Sequence, residues 1–231
     1  MAGNFSLMLS GAVWIRPLLS KMDYDPVKDL IPITGVSVAP AFLFEHPSVP
    51  AKNVSELIAL AKSKPGELRY GMAGQGTSSH LGSELFNSMA GITMVRVAYS
   101  ATGQIVDNLL TNDVQVGFSN AQRGMPHVAA GRLRVLGVGS IQRSVLAPDV
   151  PTIASQGLPG FEVGAEMCLW VPAGTPKAAV TRLSEAALRV LANPEVKKKL
   201  LSNGYETVGT TPEQAAAHIQ ADIAKWSMLV K

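Results

Sequence analysis

The sequence is poor in cysteine, in aromatic residues and in long apolar runs, and each shortage excludes a class of protein. Cys168 is the single cysteine among 231 residues, which excludes an internal disulfide and a cluster of thiolate metal ligands. Aromatic residues make up 6% of the chain, and its 20 basic residues are scattered among 17 acidic ones. Nucleic-acid binding needs a concentrated basic face with aromatic platforms, so we expect no nucleic-acid partner. No stretch approaches the roughly 20 apolar residues of a membrane-spanning helix.

Short apolar runs alternate with helical patterns along the chain, which predicts an α/β fold with mainly parallel strands. One helix is predicted over NVSELIALAKS, because Asn53 stands at an N-cap and Glu56 follows three residues later. The strands LRYGM, TMVRVAY, VQVGF and LRVLGV come next, with helical patterns between them. This order predicts one sheet whose loops at the carboxyl ends of the strands form a ligand site.

A change in composition after Pro148 predicts a second structural unit. The stretch APDVPTIASQGLPGFE is rich in proline and glycine, and it leads to one strand and three further helices. The N-terminal 35 residues hold about one strand and one helix, too little for a domain of their own. We therefore expect two lobes with a cleft between them: a first lobe from residues 1–36 and 166–231, truncated at its N-terminus, and a second lobe from residues 37–165.

The loop GMAGQGTSSHL is the strongest candidate for a binding site. Its strand ends near Met72 and its helix begins near Ser78 or Ser79, so we expect the main-chain N–H groups of the loop glycines, Gly74 and Gly76, and of Thr77 to be free. Free N–H groups at the positive end of a helix dipole suit an anion. Each hydrogen bond to a charged group contributes about 1.5 to 3 kcal/mol, so several hold a carboxylate without Lys or Arg. The alternative is a glycine turn whose hydroxyls only cap the helix.

A second interpretation of this loop is a small hydrolase or transferase in which Ser78 or Ser79 acts with His80. Adjacent positions on a helix diverge, however, and the sequence has no GxSxG elbow. The loop also lacks the third glycine of a dinucleotide-binding pattern and the lysine of a phosphate-binding loop. The other histidines show no metal-binding spacing. We therefore predict no catalytic residue, no cofactor and no metal, and keep the hydrolase as the alternative.

Two further loops, AYSATG and FSNAQRG, come after strands of the same predicted sheet. Their polar residues either line a common pocket with the first loop or serve as helix caps and turn residues. As ligand contacts from these loops we predict Tyr99, Ser119 and Asn120.

Long ordered blocks of the chain resemble the solute receptors of tripartite tricarboxylate transporters, the TctC-like or Bug family. The blocks are YDPVKD, the stretch from HPSVPAKN to NSMAGI, LPGFE, PAGTP and IAKW. The resemblance implies two α/β lobes in the periplasm that close on a small organic carboxylate, without chemistry, and deliver it to a membrane permease. It implies a carboxylate grip by Gly76, Thr77, Ser78 and Ser79, with His80 beside them. Ser10 and Gly11 fall where the family has a loop of the opposite lobe.

The chain also departs from this family pattern. The family begins with a signal peptide, a strand and a glycine-rich loop, and this sequence resembles only the later segments of the family. A first lobe without that strand leaves a sheet edge uncovered, which predicts self-association. A remnant that folds but binds nothing is a further alternative. Glu166 stands where the family usually has an aromatic residue, and an acidic group near the cleft favours a ligand with one acid group or a basic substituent.

Overall fold

The computed structural model describes residues 6–11 and 13–229, which form two compact units. Unit 1 consists of Met1–Val38 and Glu166–Lys231, and unit 2 consists of Ala39–Ala165. Residues 1–5, 12 and 230–231, which belong to the predicted first lobe, lie outside the described residues. Among the helices of the described part, none has the length and apolar character needed to cross a membrane.

The two units contain strands and helices in alternation, which confirms the predicted α/β class. In chain order they are β1 (Met8–Ser10), α1 (Arg16–Leu19), β2 (Leu30–Pro40), β3 (Phe42–Glu45), α2 (Val54–Ser63), β4 (Arg69–Met72), α3 (Ser78–Ala90), β5 (Val95–Ala98), α4 (Thr102–Leu110), β6 (Val116–Ser119), α5 (Ala121–Ala129), β7 (Arg134–Val138), β8 (Gly164–Pro172), α6 (Lys177–Ala192), α7 (Pro194–Ser202), β9 (Glu206–Thr207) and α8 (Pro212–Leu229).

Unit 2 is built on a five-stranded sheet in the order β5-β4-β6-β3-β7. β4 runs parallel to β5 and β6, whereas β3 is antiparallel to both β6 and β7. The predicted parallel strands are therefore present, with β3 inserted among them in the opposite direction. In the four-stranded sheet of unit 1, with the order β1-β8-β2-β9, the pairs β1–β8 and β2–β9 are antiparallel.

Helices α3 and α4 pack on opposite faces of the unit 2 sheet. On one face Phe86 of α3 meets Phe118 of β6 with ring centroids 6.4 Å apart. On the other face α4 comes close to the sheet because two strand positions are glycine. A Cβ on Gly117 would lie 2.6 Å from Ile105 Cγ2, and one on Gly71 would lie 3.2 Å from the same atom. The missing side chains thus set how closely α4 approaches the strands.

The neighbouring strands β4 and β6 form a topological switch point. The chain leaves β4 through α3 toward β5 on one side, and it leaves β6 through α5 toward β7 on the other. Loops that diverge in this way open a crevice at the carboxyl ends of the two strands, where ligands of open α/β sheets bind. The loop from Ala73 to Thr77 and the residues at the end of β6 lie at this crevice.

Candidate functional site

The loop after β4 folds into the start of α3 as its sequence predicts. Thr77 is the N-cap of α3, with an extended backbone and a hydroxyl that accepts a hydrogen bond from the His80 N–H at 3.3 Å. Gly76 has a φ of 79°, a left-handed conformation that glycine adopts at little cost. The helix therefore begins at Ser78, within the predicted range.

Two of the main-chain N–H groups expected to be free are bonded within the loop. The Gly76 N–H donates to His80 Nδ1 at 3.3 Å, and the Thr77 N–H donates to the Gly74 carbonyl, also at 3.3 Å. The positive φ of Gly76 turns the chain back on itself, which brings these donors to local acceptors. The sequence-based expectation for these two groups was wrong, because it applied the helix rule without the turn geometry.

Four other main-chain N–H groups of the loop have no acceptor among the described residues. They belong to Gly74, Gln75, Ser78 and Ser79. Ser78 and Ser79 occupy the first two positions of α3, where a helix leaves its N–H groups unpaired. The donors are thus present at the crevice, but they flank the turn instead of lying at its centre. Gly74 is one of the loop glycines expected to have a free N–H group, whereas Gln75 carries no sequence signal that distinguishes it from its neighbours.

The hydroxyl groups of the loop divide into structural and available ones. Ser79 is buried, and its Oγ accepts from the Ala73 N–H at 3.0 Å and lies 3.0 Å from Thr77 Oγ1. Both of these hydroxyls therefore hold the loop in shape. Ser78 is half-buried, and its Oγ has no hydrogen-bond partner within the described part of the chain. Of the three, Ser78 is the hydroxyl available to a ligand.

His80 is buried, and its surroundings favour the neutral form of its ring. Burial lowers its pKa below the ordinary value, with a weaker opposing effect from Glu84. Because Nδ1 accepts from the Gly76 N–H, the neutral ring carries its proton on Nε2. No hydrogen bond joins this ring to Ser78 or Ser79 in the described structure, so the nucleophile–base pair of the hydrolase interpretation lacks the geometry it requires.

The other predicted contacts of unit 2 lie at the same edge of its sheet. Asn120 is the N-cap of α5, since its Oδ1 accepts from the Arg123 N–H at 3.1 Å. Ser119 is 4% exposed, and its Oγ has no partner among the described residues. The Tyr99 N–H donates to the Met72 carbonyl at 2.8 Å, which ties the loop after β5 to the end of β4.

The candidates of the first lobe lie in unit 1. Ser10 ends β1, and Gly11 comes directly after it, where a Cβ would stand 2.0 Å from the Glu166 carbonyl oxygen, so only glycine fits there. The Glu166 carboxylate lies 2.7 Å from Nε2 of His218. This pairing within unit 1 weakens the expected repulsion of a second acid group by Glu166.

Comparison with known proteins identifies the family. The model of the tripartite tricarboxylate transporter family receptor matches residues 3–231. The chain belongs to this receptor family. A Pseudomonas sp. relative, from the tcbD-tcbE intergenic region, is 31% identical over 222 residues, which are 96% of this chain and 66% of the relative. The chain thus spans about two thirds of that relative's length.

Solved structures of similar proteins agree with the receptor fold. An R. palustris protein solved with adipate has a TM-score of 0.80 and 30% identity, covering 97% of this chain and 76% of its own. MatC from Rhodopseudomonas palustris, solved with bound malate, has a TM-score of 0.76 and 28% identity, covering 97% and 79%. These neighbours have a two-lobed α/β receptor fold, and this TctC-type chain shares that fold.

Proposed function

We propose that the protein is an extracytoplasmic solute-binding receptor that captures a small carboxylate-bearing organic anion. The observation that carries this proposal is the group of four N–H donors at the switch point of unit 2 that have no acceptor in the described part of the chain, in a protein of a receptor family. Two similar proteins were solved with adipate and malate, both organic acids. We also propose a periplasmic location, delivery of the ligand to a tripartite tricarboxylate-type permease, and no enzymatic activity.

The chemistry of the loop favours an anion held by the main chain. The loop itself contains no Lys or Arg, so its positive potential comes from the N–H groups and from the dipole of the 13-residue helix α3. Each hydrogen bond to a carboxylate contributes about 1.5 to 3 kcal/mol, so two or three explain binding in the micromolar range. The Ser78 hydroxyl adds a side-chain donor beside them.

The proposed mechanism of transport is a ligand-dependent shift between open and closed forms of a two-lobed receptor. Units 1 and 2 are our candidates for the two lobes. The contribution of Ser10 and Gly11 from unit 1 stays a prediction, as does that of Gly76, Thr77, His80, Tyr99 and Asn120 from unit 2.

A thermal-shift screen against organic acids tests the receptor function. A ligand that binds only the folded protein stabilises it by about 2.7 kcal/mol at one hundred times its Kd, so carboxylates should raise the melting temperature in a dose-dependent manner. Matched amides and alcohols should not. A full panel of organic acids without any shift would contradict the proposal and favour the non-binding remnant.

A single substitution tests whether main-chain donors hold the ligand. Ser78→Pro removes one free N–H at the first position of α3, where proline is favoured in helices. Thr77 precedes it with φ −72° and ψ 158°, which a subsequent proline accepts. We expect Ser78→Pro to bind the best acid about tenfold more weakly than Ser78→Ala, which lacks only the hydroxyl. Equal affinity of the two variants would contradict ligand binding by main-chain N–H groups.

The hydrolase alternative has a direct assay. Saturable binding of an acid without turnover of acyl esters supports the receptor, whereas turnover that Ser79→Ala abolishes would support the enzyme. The expected self-association has a structural counterpart in the edge strand β1, where Leu9 is 52% exposed, as is Leu7 directly before the strand. Light scattering at increasing protein concentration tests it, and a monomer at all concentrations would contradict it.

A further inference from the structure

An open pocket of about 220 Å³ lies in unit 1, where α6, α7 and β9 meet. Its lining consists of Leu188, Leu191 and Ala192 of α6, Lys197 of α7 and residues 207–209. Whole small molecules occupy pockets of about 300 to 1,000 Å³, whereas a cavity of about 150 Å³ already holds a benzene molecule. The volume of this pocket therefore suits one large apolar side chain.

Hydrogen bonds fix the walls of this pocket. Asn193 ends α6 and caps α7, since its Oδ1 accepts from an N–H in the first turn of α7 at 2.9 Å. On the opposite wall the Val208 N–H donates to the Val36 carbonyl at 3.1 Å, and the Gly209 N–H donates to the Gly35 carbonyl at 2.8 Å. Val208 is nevertheless 44% exposed. The pocket is thus preformed, which lowers the entropic cost of filling it.

The two helices that wall the pocket concentrate positive charge, although the basic residues are scattered along the chain as a whole. Residues 177–202 contain six basic and two acidic residues, a net charge of +4, while the whole chain has +3. All six basic residues are exposed. Lys197, Lys198 and Lys199 form no ion pair within the described part of the chain. The field of such a surface attracts and orients an acidic partner.

An acidic protein segment that carries one large apolar residue uses both features of this surface. A flat anionic surface, such as a membrane, uses the lysines alone and leaves the pocket unfilled. Strong protein–protein contacts typically place one apolar anchor in a pocket and surround it with a polar rim. The pocket together with Lys197 on its wall has this arrangement.

We propose that the pocket between α6, α7 and β9 is a docking site for an acidic segment of a partner protein, which inserts one large apolar side chain. Lys197 pairs with a carboxylate next to the inserted side chain, and the other lysines of α7 attract the segment from farther away. This inference goes beyond the proposed receptor function and does not depend on it, because the candidate carboxylate-binding loop belongs to unit 2.

Fluorescence anisotropy with defined peptides tests this assignment. The probes are labelled pentapeptides with two glutamates on each side of a central phenylalanine, leucine or alanine. A fourth peptide has lysines around phenylalanine. We expect the acidic peptide with phenylalanine or leucine to bind at least about tenfold more tightly than that with alanine, because a large apolar side chain becomes buried. The lysine peptide should not bind, and added salt should weaken binding of the acidic peptides.

Ala192→Leu fills the pocket without changing the charge of the protein. Ala192 is exposed at the end of α6, and leucine is a good helix former, so the melting temperature should not drop. The affinity for the acidic phenylalanine peptide should fall at least about tenfold, to that of the alanine peptide. Ala178→Leu is the matched control, at an exposed position near the start of the same helix, and should leave the affinity unchanged.

A second pair of variants separates a specific ion pair from general charge attraction. Lys197→Gln and Lys198→Gln each remove one exposed lysine of α7, and of the two residues Lys197 lines the pocket. Lys197→Gln should weaken binding of the acidic phenylalanine peptide about threefold more than Lys198→Gln. Equal effects of the two variants would overturn the role of Lys197.

Three other results would overturn the docking site. They are equal affinity for the phenylalanine and alanine peptides, unchanged affinity in Ala192→Leu, and no binding of any acidic peptide. Cosedimentation with phosphatidylglycerol vesicles tests the membrane alternative. Vesicle binding that Ala192→Leu leaves intact, in a protein that binds no acidic peptide, would assign the lysines to a membrane surface and overturn the inference.

Discussion

The buried carboxylate of Glu45 should make the stability of the protein fall as pH rises from mildly acidic to neutral. Glu45 is fully buried at the end of β3, and its Oε1 accepts from Arg134 Nε at 2.7 Å. Its Oε2 has no partner among the described residues. Burial raises the pKa of this carboxyl to about 7, although the hydrogen bond and charge of Arg134 oppose the rise.

The direction of the effect is set by proton linkage. An exposed glutamate has a pKa of 4.5 and Glu45 one of about 7, so between these values the folded protein binds more protons than the unfolded chain. The free energy of unfolding therefore falls as pH rises through this window and levels off above about pH 7. The difference between the two pKa values corresponds to about 3 kcal/mol.

Urea denaturation at a series of pH values measures this contribution. In the unaltered protein the urea midpoint should fall by on the order of 1 M between pH 4.5 and 7.5. Glu45→Gln keeps an acceptor for Arg134 but cannot ionise, so this fall should be absent in the variant. Glu67→Gln is the control, because Glu67 is exposed and forms a surface ion pair with the nearby Lys64. If Glu45→Gln kept the full pH dependence of the unaltered protein, the assignment of the shift to desolvation would be wrong.

Three further predictions concern the loop before α3 and the first turn of that helix. Ser79→Ala should lower the free energy of unfolding by about 1 to 3 kcal/mol, because a buried N–H loses its acceptor, whereas Ser78→Ala should change it little; chemical denaturation of both variants compares them. Gly76→Ala should cost about 1 to 2 kcal/mol because its φ of 79° is left-handed, and Gly74→Ala, with no atom near its Cβ, should cost less than half of that. Titration of His80 by NMR should give a pKa below 6.5, so its contribution to stability rises with pH toward that value; a pKa at or above it would contradict the buried neutral ring.

Local signals in the sequence predicted the starts of the helices well. Asn53 accepts from the Glu56 N–H at 2.9 Å, and Thr211 and Gln214 exchange the two hydrogen bonds of a capping box at 3.0 and 3.2 Å. Such caps depend on residues three apart, so the sequence alone contains the information. The start of α3 at Ser78 was found for the same reason.

Features that depend on distant pairing were missed. The sequence patterns predicted no strand at Phe42–Glu45, because a short apolar run does not by itself distinguish a strand from another buried segment. The pairing of this segment with β6 and β7 identifies it as a strand. The choice of free donors was wrong for Gly76, since its N–H meets a side chain that the turn brings back from α3. The position of Arg123 beside Gly103 is likewise set by packing between two helices, which no local pattern encodes.

The glycine at position 117 makes the separation between α4 and the unit 2 sheet sensitive to a single methyl group. A methyl group there would meet Ile105 at 2.6 Å, so α4 would have to rise from the strands to admit it. The first turn of α4, which follows the loop after β5, would move outward with the rest of the helix. A small substitution beneath the helix would therefore reshape this edge of unit 2 without changing any residue at its surface.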